Sequence, residues 1–196
     1  MIPAFLLVLV VMIYRIAAGI LVQAGSATWL SNFAPFAAIA LCGAVFFSPK
    51  YKLSVPLLAL FLSDIVLNLY YSAPLLHPLI VGRYFALVIV GGLGLLVQRR
   101  RSLEILLPAS AGGSVIFYLI TNAFSWLSDP GYAKSLGGLV QALTVGLPAY
   151  SATPTWMFFR NSLLSDLVFT GLFVLCVHLG KNSQPSRVDS ALPRAA

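Results

Sequence analysis

Residues 158–170 read FFRNSLLSDLVFT and begin the last long apolar run of the chain. Within this run, Arg160, Asn161 and Asp166 interrupt the composition of a membrane-spanning helix. A charged side chain in hydrocarbon costs about 3 kcal/mol or more, so such residues normally face a bundle interior or a wet cavity. The stretch therefore indicates a helical bundle that crosses a membrane and holds polar groups inside.

The composition of the whole chain agrees with a membrane bundle. Of the 196 residues, 60% are hydrophobic and 9% are charged, against about 25% charged in an ordinary soluble domain. The mean hydropathy is +0.95. We predict an all-α integral membrane protein with one transmembrane domain, residues 1–180, and no separate soluble domain. Residues 181–196 are rich in Ser and Pro and are expected to form a disordered cytoplasmic tail.

Six apolar runs are predicted to cross the membrane, since a crossing helix needs about 20 apolar residues. These runs are 3–22, 33–48, 53–71, 79–98, 104–127 and 158–179. The segment 135–150 contains three glycines and Pro148, so it is interpreted as a short or re-entrant helix. The first run could instead be a signal peptide, but it lacks a basic start and Arg15 interrupts it. We interpret it as a retained span.

The direction of the spans follows from the loop charges. Lys50 and Lys52 lie between the second and third runs, and Arg99, Arg100 and Arg101 lie between the fourth and fifth. Short cytoplasmic loops collect Lys and Arg, so both termini are predicted to be cytoplasmic. This bias also accounts for the net charge of +7. Nucleic acid is not an expected partner, because the basic residues form no helical stripe.

The charged residues inside the spans are predicted to cluster at one depth. A rise of 1.5 Å per residue places Arg15, Asp64, Arg83 and Asp166 in the outer half of the membrane. We therefore expect Asp166 to face an outward-opening cavity that it shares with Asp64 and Asn122. Arg160 is expected at the rim of that cavity.

The predicted substrate-binding residues share this outer position. With Arg160 included, three arginines face two aspartates, a balance that suits a small zwitterion or a carboxylate. The predicted set is Arg15, Asp64, Asn68, Arg83, Asn122, Trp126, Arg160, Asn161 and Asp166.

Alternatives remain open for several of these residues. Arg15 with Asp64, or Arg83 with Asp166, could be structural pairs that hold helices together. Trp126 suits an aromatic belt at the membrane interface or a lid over the cavity. The segment from Asn32 to Pro35 could form a helix cap or a ligand loop, and Asn32 is interpreted as a cap.

Catalytic motifs are not visible in the sequence. There is no Ser-His-Asp or Cys-His arrangement, no nucleotide-binding glycine loop and no metal-ligand spacing. We expect no enzyme activity, no cofactor and no metal. A membrane enzyme acting on a lipid or isoprenoid remains a third possibility, but it would need a reactive group that the sequence does not show.

Four segments carry a family resemblance: NFAPFAAIALCGAVFF, PLLALFLSDIVLNL, FYLITNAFSWL and FFRNSLLSDLVFTGLF. Together they resemble an uncharacterised family of small bacterial membrane proteins. More distantly, the order of segments is similar to the substrate-binding S components of energy-coupling factor vitamin transporters, most of all the biotin type. Those proteins have a late Leu-Pro-Phe stretch before an Asp-bearing last helix, and here GLP at 146–148 precedes FFRNSLLSDL.

The resemblance implies a six-span bundle in the bacterial inner membrane with a metabolite pocket near its outer side. It also implies a transmembrane coupling subunit with ATPases as a partner, beside membrane lipids. Where the biotin type ends in Gly-Asp-x-x-Lys, this chain has Ser165, Asp166 and Phe169. We expect a substrate-capture subunit for a small polar metabolite or vitamin. The alternative is a structural or assembly subunit whose polar cluster fixes helix packing.

Overall fold

The computed structural model describes residues 2–182, and every regular element in that range is helical. The seven α-helices are α1 (Ile2–Gln23), α2 (Phe36–Phe46), α3 (Ser54–Tyr70), α4 (Pro78–Val97), α5 (Leu103–Ser128), α6 (Leu136–Leu143) and α7 (Thr155–Asn182). A 3₁₀ turn, Thr28–Leu30, precedes α2. Since α7 continues to Asn182, it includes the first two residues of the predicted tail, and residues 183–196 lie outside the described residues.

Four helices, α1, α4, α5 and α7, are long and apolar enough to cross a membrane, as expected of an integral membrane protein. The other apolar runs form shorter helices. The predicted span 33–48 contains an 11-residue helix, which is about 16 Å long against a hydrocarbon core of about 30 Å. Pro35 and Pro49 bracket this helix, so apolar residues at both ends of the run belong to loops. The structure thus does not confirm six spans.

The short helix α2 forms the centre of the bundle. All of residues 37–45 are buried, as expected for a helix that is apolar on every side. Helices α3, α4, α5 and α7 pack around it, while α1 packs on α3 and α7 and α6 packs on α5. The core is built from side chains of these helices, including Leu41, Val45, Leu87, Val90, Leu106 and Phe173.

Small residues let α2 and α4 approach closely. A Cβ atom added to Gly94 of α4 would lie 2.6 Å from the backbone oxygen of Leu41 and 2.8 Å from Cβ of Ala44. These distances are too short for any side chain to be accommodated without separating the helices. Gly94 therefore fixes the spacing of the two central helices, in agreement with the role of small residues in membrane helix packing.

The two basic loops predicted to share one side of the membrane lie at the same end of the bundle. Lys52 Nζ, in the loop 47–53, donates a hydrogen bond to Gln98 Oε1 at the end of α4. We call this the basic end. The helix α2 ends there, so its first residue, Phe36, lies towards the opposite end, which we call the cavity end.

Both terminal helices also reach the basic end. Phe5, near the start of α1, stacks on Phe47 with ring centroids 4.8 Å apart. Phe173, in the second half of α7, makes an edge contact with Phe47 at 6.3 Å. The start of α1 and the second half of α7 therefore both lie near the loop 47–53 at the basic end.

Candidate functional site

Three helices are joined by an ionic cluster around Asp64. Arg15 of α1 donates hydrogen bonds to Asp64 Oδ1 and Ser63 Oγ, and Arg83 of α4 donates to the same Oδ1 at 2.8 Å. Tyr84 donates its hydroxyl hydrogen to Asp64 Oδ2 at 2.8 Å. We call Arg15, Asp64, Arg83 and Tyr84 the arginine cluster. Its single carboxylate holds α1 and α4 against α3.

The arginine cluster carries an excess of positive charge because two guanidinium groups share one carboxylate. The side chain of Arg15 is 8% exposed and that of Asp64 is 3% exposed, whereas Arg83 remains 31% exposed. Both guanidinium groups lie over the ring of Phe36, at 4.9 Å for Arg15 and 5.6 Å for Arg83. This cation–π contact offsets part of the repulsion between the two arginines.

Asp166 lies in a separate polar cluster between α2, α5 and α7. Its Oδ1 accepts a hydrogen bond from the backbone N–H of Ala38 at 2.9 Å, and its Oδ2 accepts one from Ser114 Oγ at 2.7 Å. Ser110 donates to the Asp166 backbone oxygen at 3.3 Å and accepts a bond from Thr170 at 2.8 Å. The Asp166 side chain is completely buried.

The contact with Ala38 makes Asp166 the cap of α2. The N-cap residue is Pro35, which provides no side-chain hydrogen bond, so the first N–H groups of the helix need another acceptor. Asp166 accepts from Ala38 and also interacts with the backbone of Ala37. A carboxyl group at a helix N-terminus also complements the helix dipole. The predicted cap, Asn32, lies four residues before α2 and does not cap it.

Two adjoining cavities open at the cavity end of the bundle. The smaller has a volume of about 220 Å³ and the larger about 420 Å³. They share a wall formed by Asn32, Phe36, Arg83 and Phe158. Arg83 is therefore accessible from both cavities, and Arg15 is accessible from the larger one.

The smaller cavity has an aromatic lining with polar groups between the rings. Its aromatic residues come from α2, α5 and α7, and its hydroxyl and amide groups come mainly from one face of α5. The aromatic members are Phe36, Phe117, Tyr118, Phe158 and Phe159, and the polar members include Thr121, Asn122, Ser125, Thr155 and Ser162. Polar residues of α5 thus face this cavity.

The structure brings some of the predicted site residues together and separates others. Arg83 and Asn122 both line the smaller cavity, where Asn122 Nδ2 donates to the Tyr118 backbone oxygen at 2.8 Å. Asp64 and Asp166 are absent from the linings of the two cavities. Both carboxyl groups face neighbouring helices instead, and Arg83 pairs with Asp64, not with Asp166.

The remaining predicted residues lie at the periphery of the cavities. Asn161 Nδ2 donates to the backbone oxygens of Trp29 and Ser31, each at 3.0 Å, and so fastens the loop after α1. Arg160 is exposed and donates to Asn161 Oδ1 at 3.2 Å. Neither of these α7 residues lines the two cavities.

The last two members of the predicted set make backbone contacts away from the lining. Trp126 donates its indole N–H to the Ala133 backbone oxygen at 2.8 Å. Asn68 is half-buried on α3, and its backbone oxygen accepts a hydrogen bond from Ala73 at 2.9 Å.

Sequence reasoning missed the aromatic part of the site. Phe36, Tyr84 and Phe158 shape the arginine cluster and the cavity wall, yet phenylalanine and tyrosine are common in any membrane helix. The sequence signal that could have found them is proximity to a charged or polar residue, since Tyr84 follows Arg83 and Phe158 lies one turn before Asn161. Among the described residues, no group of three or more His, Cys, Asp or Glu side chains could hold a metal ion.

Comparison with known proteins identifies a family but not an activity. The model of a family of unknown function, DUF6580, matches residues 1–187. No curated protein and no solved structure matches the chain. The distant similarity to the S components of vitamin transporters therefore has no support from either comparison.

Proposed function

This chain belongs to DUF6580, a family of unknown function. Because the family supplies no function, we propose one from the geometry of the cavity end. We propose that it is a membrane-embedded capture subunit that binds a small polar metabolite or vitamin from outside for uptake. The ligand would occupy the two cavities beside Arg83. We assign the chain no catalytic step of its own.

The observation that carries this proposal is the position of Arg83 in the wall shared by both cavities. Ligand pockets have volumes of about 300–1,000 Å³ and combine an apolar lining with a few placed polar groups. The larger cavity, of about 420 Å³, lies within that range. A partly exposed guanidinium beside the rings of Phe36 and Phe158 is expensive in a membrane protein and is typical of a functional position.

The membrane arrangement that we propose is a six-helix bundle in the bacterial inner membrane. In this arrangement α2 and α3 complete the bundle beside the four long helices, although α2 alone is too short to cross. The basic end, with Lys50, Lys52 and Arg99–Arg101, would face the cytoplasm according to the positive-inside rule. Both termini would then be cytoplasmic, and the cavities would open outwards.

Uptake needs an energy source that this chain does not supply. We propose that a separate transmembrane coupling subunit with ATPases is the partner, as the distant resemblance to S components implied. The basic loops would also contact anionic lipid headgroups.

The test is mass spectrometry of the small molecules released from gently purified protein, with the Arg83→Gln variant measured in parallel. We expect a stoichiometric metabolite with the parent protein and a loss of about tenfold or more with the variant. The estimate follows from a charge-assisted hydrogen bond, which contributes about 1.5–3 kcal/mol.

Two further variants separate binding from folding. Arg160→Gln removes an exposed arginine outside the cavities and should retain the metabolite. Ser162→Phe fills the smaller cavity but leaves every residue of the arginine cluster unchanged, and this variant should lose the metabolite. If the parent protein releases no small molecule, or if all variants retain the same amount, the capture function is wrong.

A structural or assembly subunit is the second candidate, and a specific observation favours it. The side chains of both intramembrane aspartates are engaged in hydrogen bonds that join helices, Asp64 with Arg15 and Arg83, and Asp166 with Ala38 and Ser114. If Asp64→Asn and Asp166→Asn lower thermal stability and no metabolite is released from the parent protein, this second role is favoured.

A further inference from the structure

We infer, on the basis of the proposed function, that the ligand is a ring-bearing organic monoanion. Its carboxylate would bind Arg83 in the shared wall, and its ring would lie in the smaller cavity. This assigns a chemical class to a metabolite that the proposed function leaves open.

The charge of the lining favours an anion. The residues that line the two cavities include two arginines, Arg15 and Arg83, and no acidic side chain. The carboxylate of Asp64 contacts both arginines, since its Oδ1 accepts from each of them and its Oδ2 accepts from Tyr84. A cationic ligand would meet uncompensated positive charge there, whereas a single carboxylate would neutralise it.

Arg83 retains the donors that such a carboxylate requires. A guanidinium group has five N–H donors, and the hydrogen bond of Arg83 to Asp64 uses Nη1. With its side chain 31% exposed, Arg83 can offer Nη2 and Nε to a second carboxylate. Two parallel N–H···O bonds are the usual geometry for an arginine–carboxylate pair.

The smaller cavity suits a single ring in both its lining and its volume. Phe36 and Phe117 stack with centroids 5.2 Å apart, and Tyr118 and Phe159 contact at 4.7 Å, so ring faces and edges line the space. Such surfaces favour a planar ligand ring in stacked or edge contacts. The volume of about 220 Å³ exceeds the roughly 150 Å³ in which benzene binds, which leaves room for one or two substituents.

The polar residues of the smaller cavity indicate what those substituents are. Thr121, Asn122 and Ser125 lie along one face of α5, and Ser162 faces the same space from α7. Thr121 Oγ1 donates to the Phe117 backbone oxygen at 2.8 Å, so its oxygen lone pairs remain as acceptors. Hydroxyl or amide groups on the ring would satisfy these neutral partners better than a second charge would.

The experiment compares two ligands of nearly the same shape, a carboxylate and the corresponding neutral amide. Binding of 4-hydroxybenzoate and of 4-hydroxybenzamide is measured by calorimetry with the protein in phosphatidylcholine nanodiscs. We expect the carboxylate to bind about tenfold or more tightly than the amide, from the loss of one charge-assisted pair. Arg83→Gln should remove this difference, whereas Arg160→Gln should preserve it.

Four results would overturn the assignment of the ligand class. The first is equal or tighter binding of the amide. The second is that neither ring compound binds at about 10 mM, which is the weakest dissociation constant expected for ligands of this size. The third is binding of laurate in place of the ring compounds, which would identify a lipid-derived acid. A cationic or uncharged metabolite released from the purified protein would contradict this ligand class while leaving the capture function intact.

Discussion

Replacing Asp166 is the sharpest test of how the centre of the bundle is held. Asp166→Ala removes the acceptor of Ala38 N–H in a buried polar cluster, whereas Ser114 O–H keeps the Ser110 backbone oxygen as an acceptor at 3.0 Å. Each unpaired buried group costs about 1–3 kcal/mol. The contributions of polar contacts between membrane helices lie at the lower end of this range. We therefore expect about 1–2 kcal/mol of destabilisation, which is about 2–8 °C in Tm by the relation for soluble domains. Asp166→Asn keeps one acceptor oxygen and should lose less than half as much.

The assay combines thermal unfolding with the accessibility of Cys42, a fully buried residue of α2. In a Cys176→Ala background, maleimide labelling of Cys42 should be slow in the parent protein and faster in Asp166→Ala, because α2 without its cap separates from its neighbours more often. Asp166→Asn should label at an intermediate rate. Equal Tm and equal Cys42 labelling for Asp166→Ala and the parent would refute the capping role.

Three further substitutions test the other contacts. Asp64→Asn should lower the free energy of unfolding by about 3–5 kcal/mol, because Arg15 is then buried without its carboxylate. Chemical denaturation measures this change. A loss below about 1 kcal/mol would show that the pair does not stabilise the fold. Asn161→Ala should expose the loop after α1 to limited proteolysis, and an unchanged cleavage rate would contradict its anchoring role. Gly94→Ala should prevent the close packing of α2 and α4 and lower the yield of folded protein. Its matched control is Gly112→Ala, since a Cβ at that position meets no atom within 4 Å, and equal yields for the two would argue against the spacing role.

The apolar runs predicted the positions of the helices well but the length of α2 poorly. Hydropathy cannot distinguish a loop of apolar residues from a helix, so Phe33 and Phe47 were counted in a span although both lie outside α2. The capping assignment failed for a related reason. Asn32 has the right chemistry beside the helix in sequence, whereas the acceptor that serves α2 comes from Asp166, far along the chain.

Pairing of the buried charges could be predicted only in part. The Arg15–Asp64 pair was one of the alternatives, because both residues were expected at the same depth. The depth of a residue does not give its direction around the helix axis, so Arg83 was considered with Asp166 but lies against Asp64. Packing around α2 decides which helices are neighbours. Small residues such as Gly94 determine that packing, but they carry no charge and follow no periodic pattern in the sequence.

The cap on α2 also has a consequence for biosynthesis. Ala38 and Asp166 are 128 residues apart, so the ribosome completes α2 long before it makes the group that satisfies the first turn of that helix. An unsatisfied backbone N–H in lipid costs several kcal/mol, and α2 is too short to cross the bilayer by itself. The nascent helix must therefore wait at the membrane surface or within the insertion machinery until α7 is translated. Chains that stop before residue 166 are expected to leave α2 undocked and to be removed by quality-control proteases.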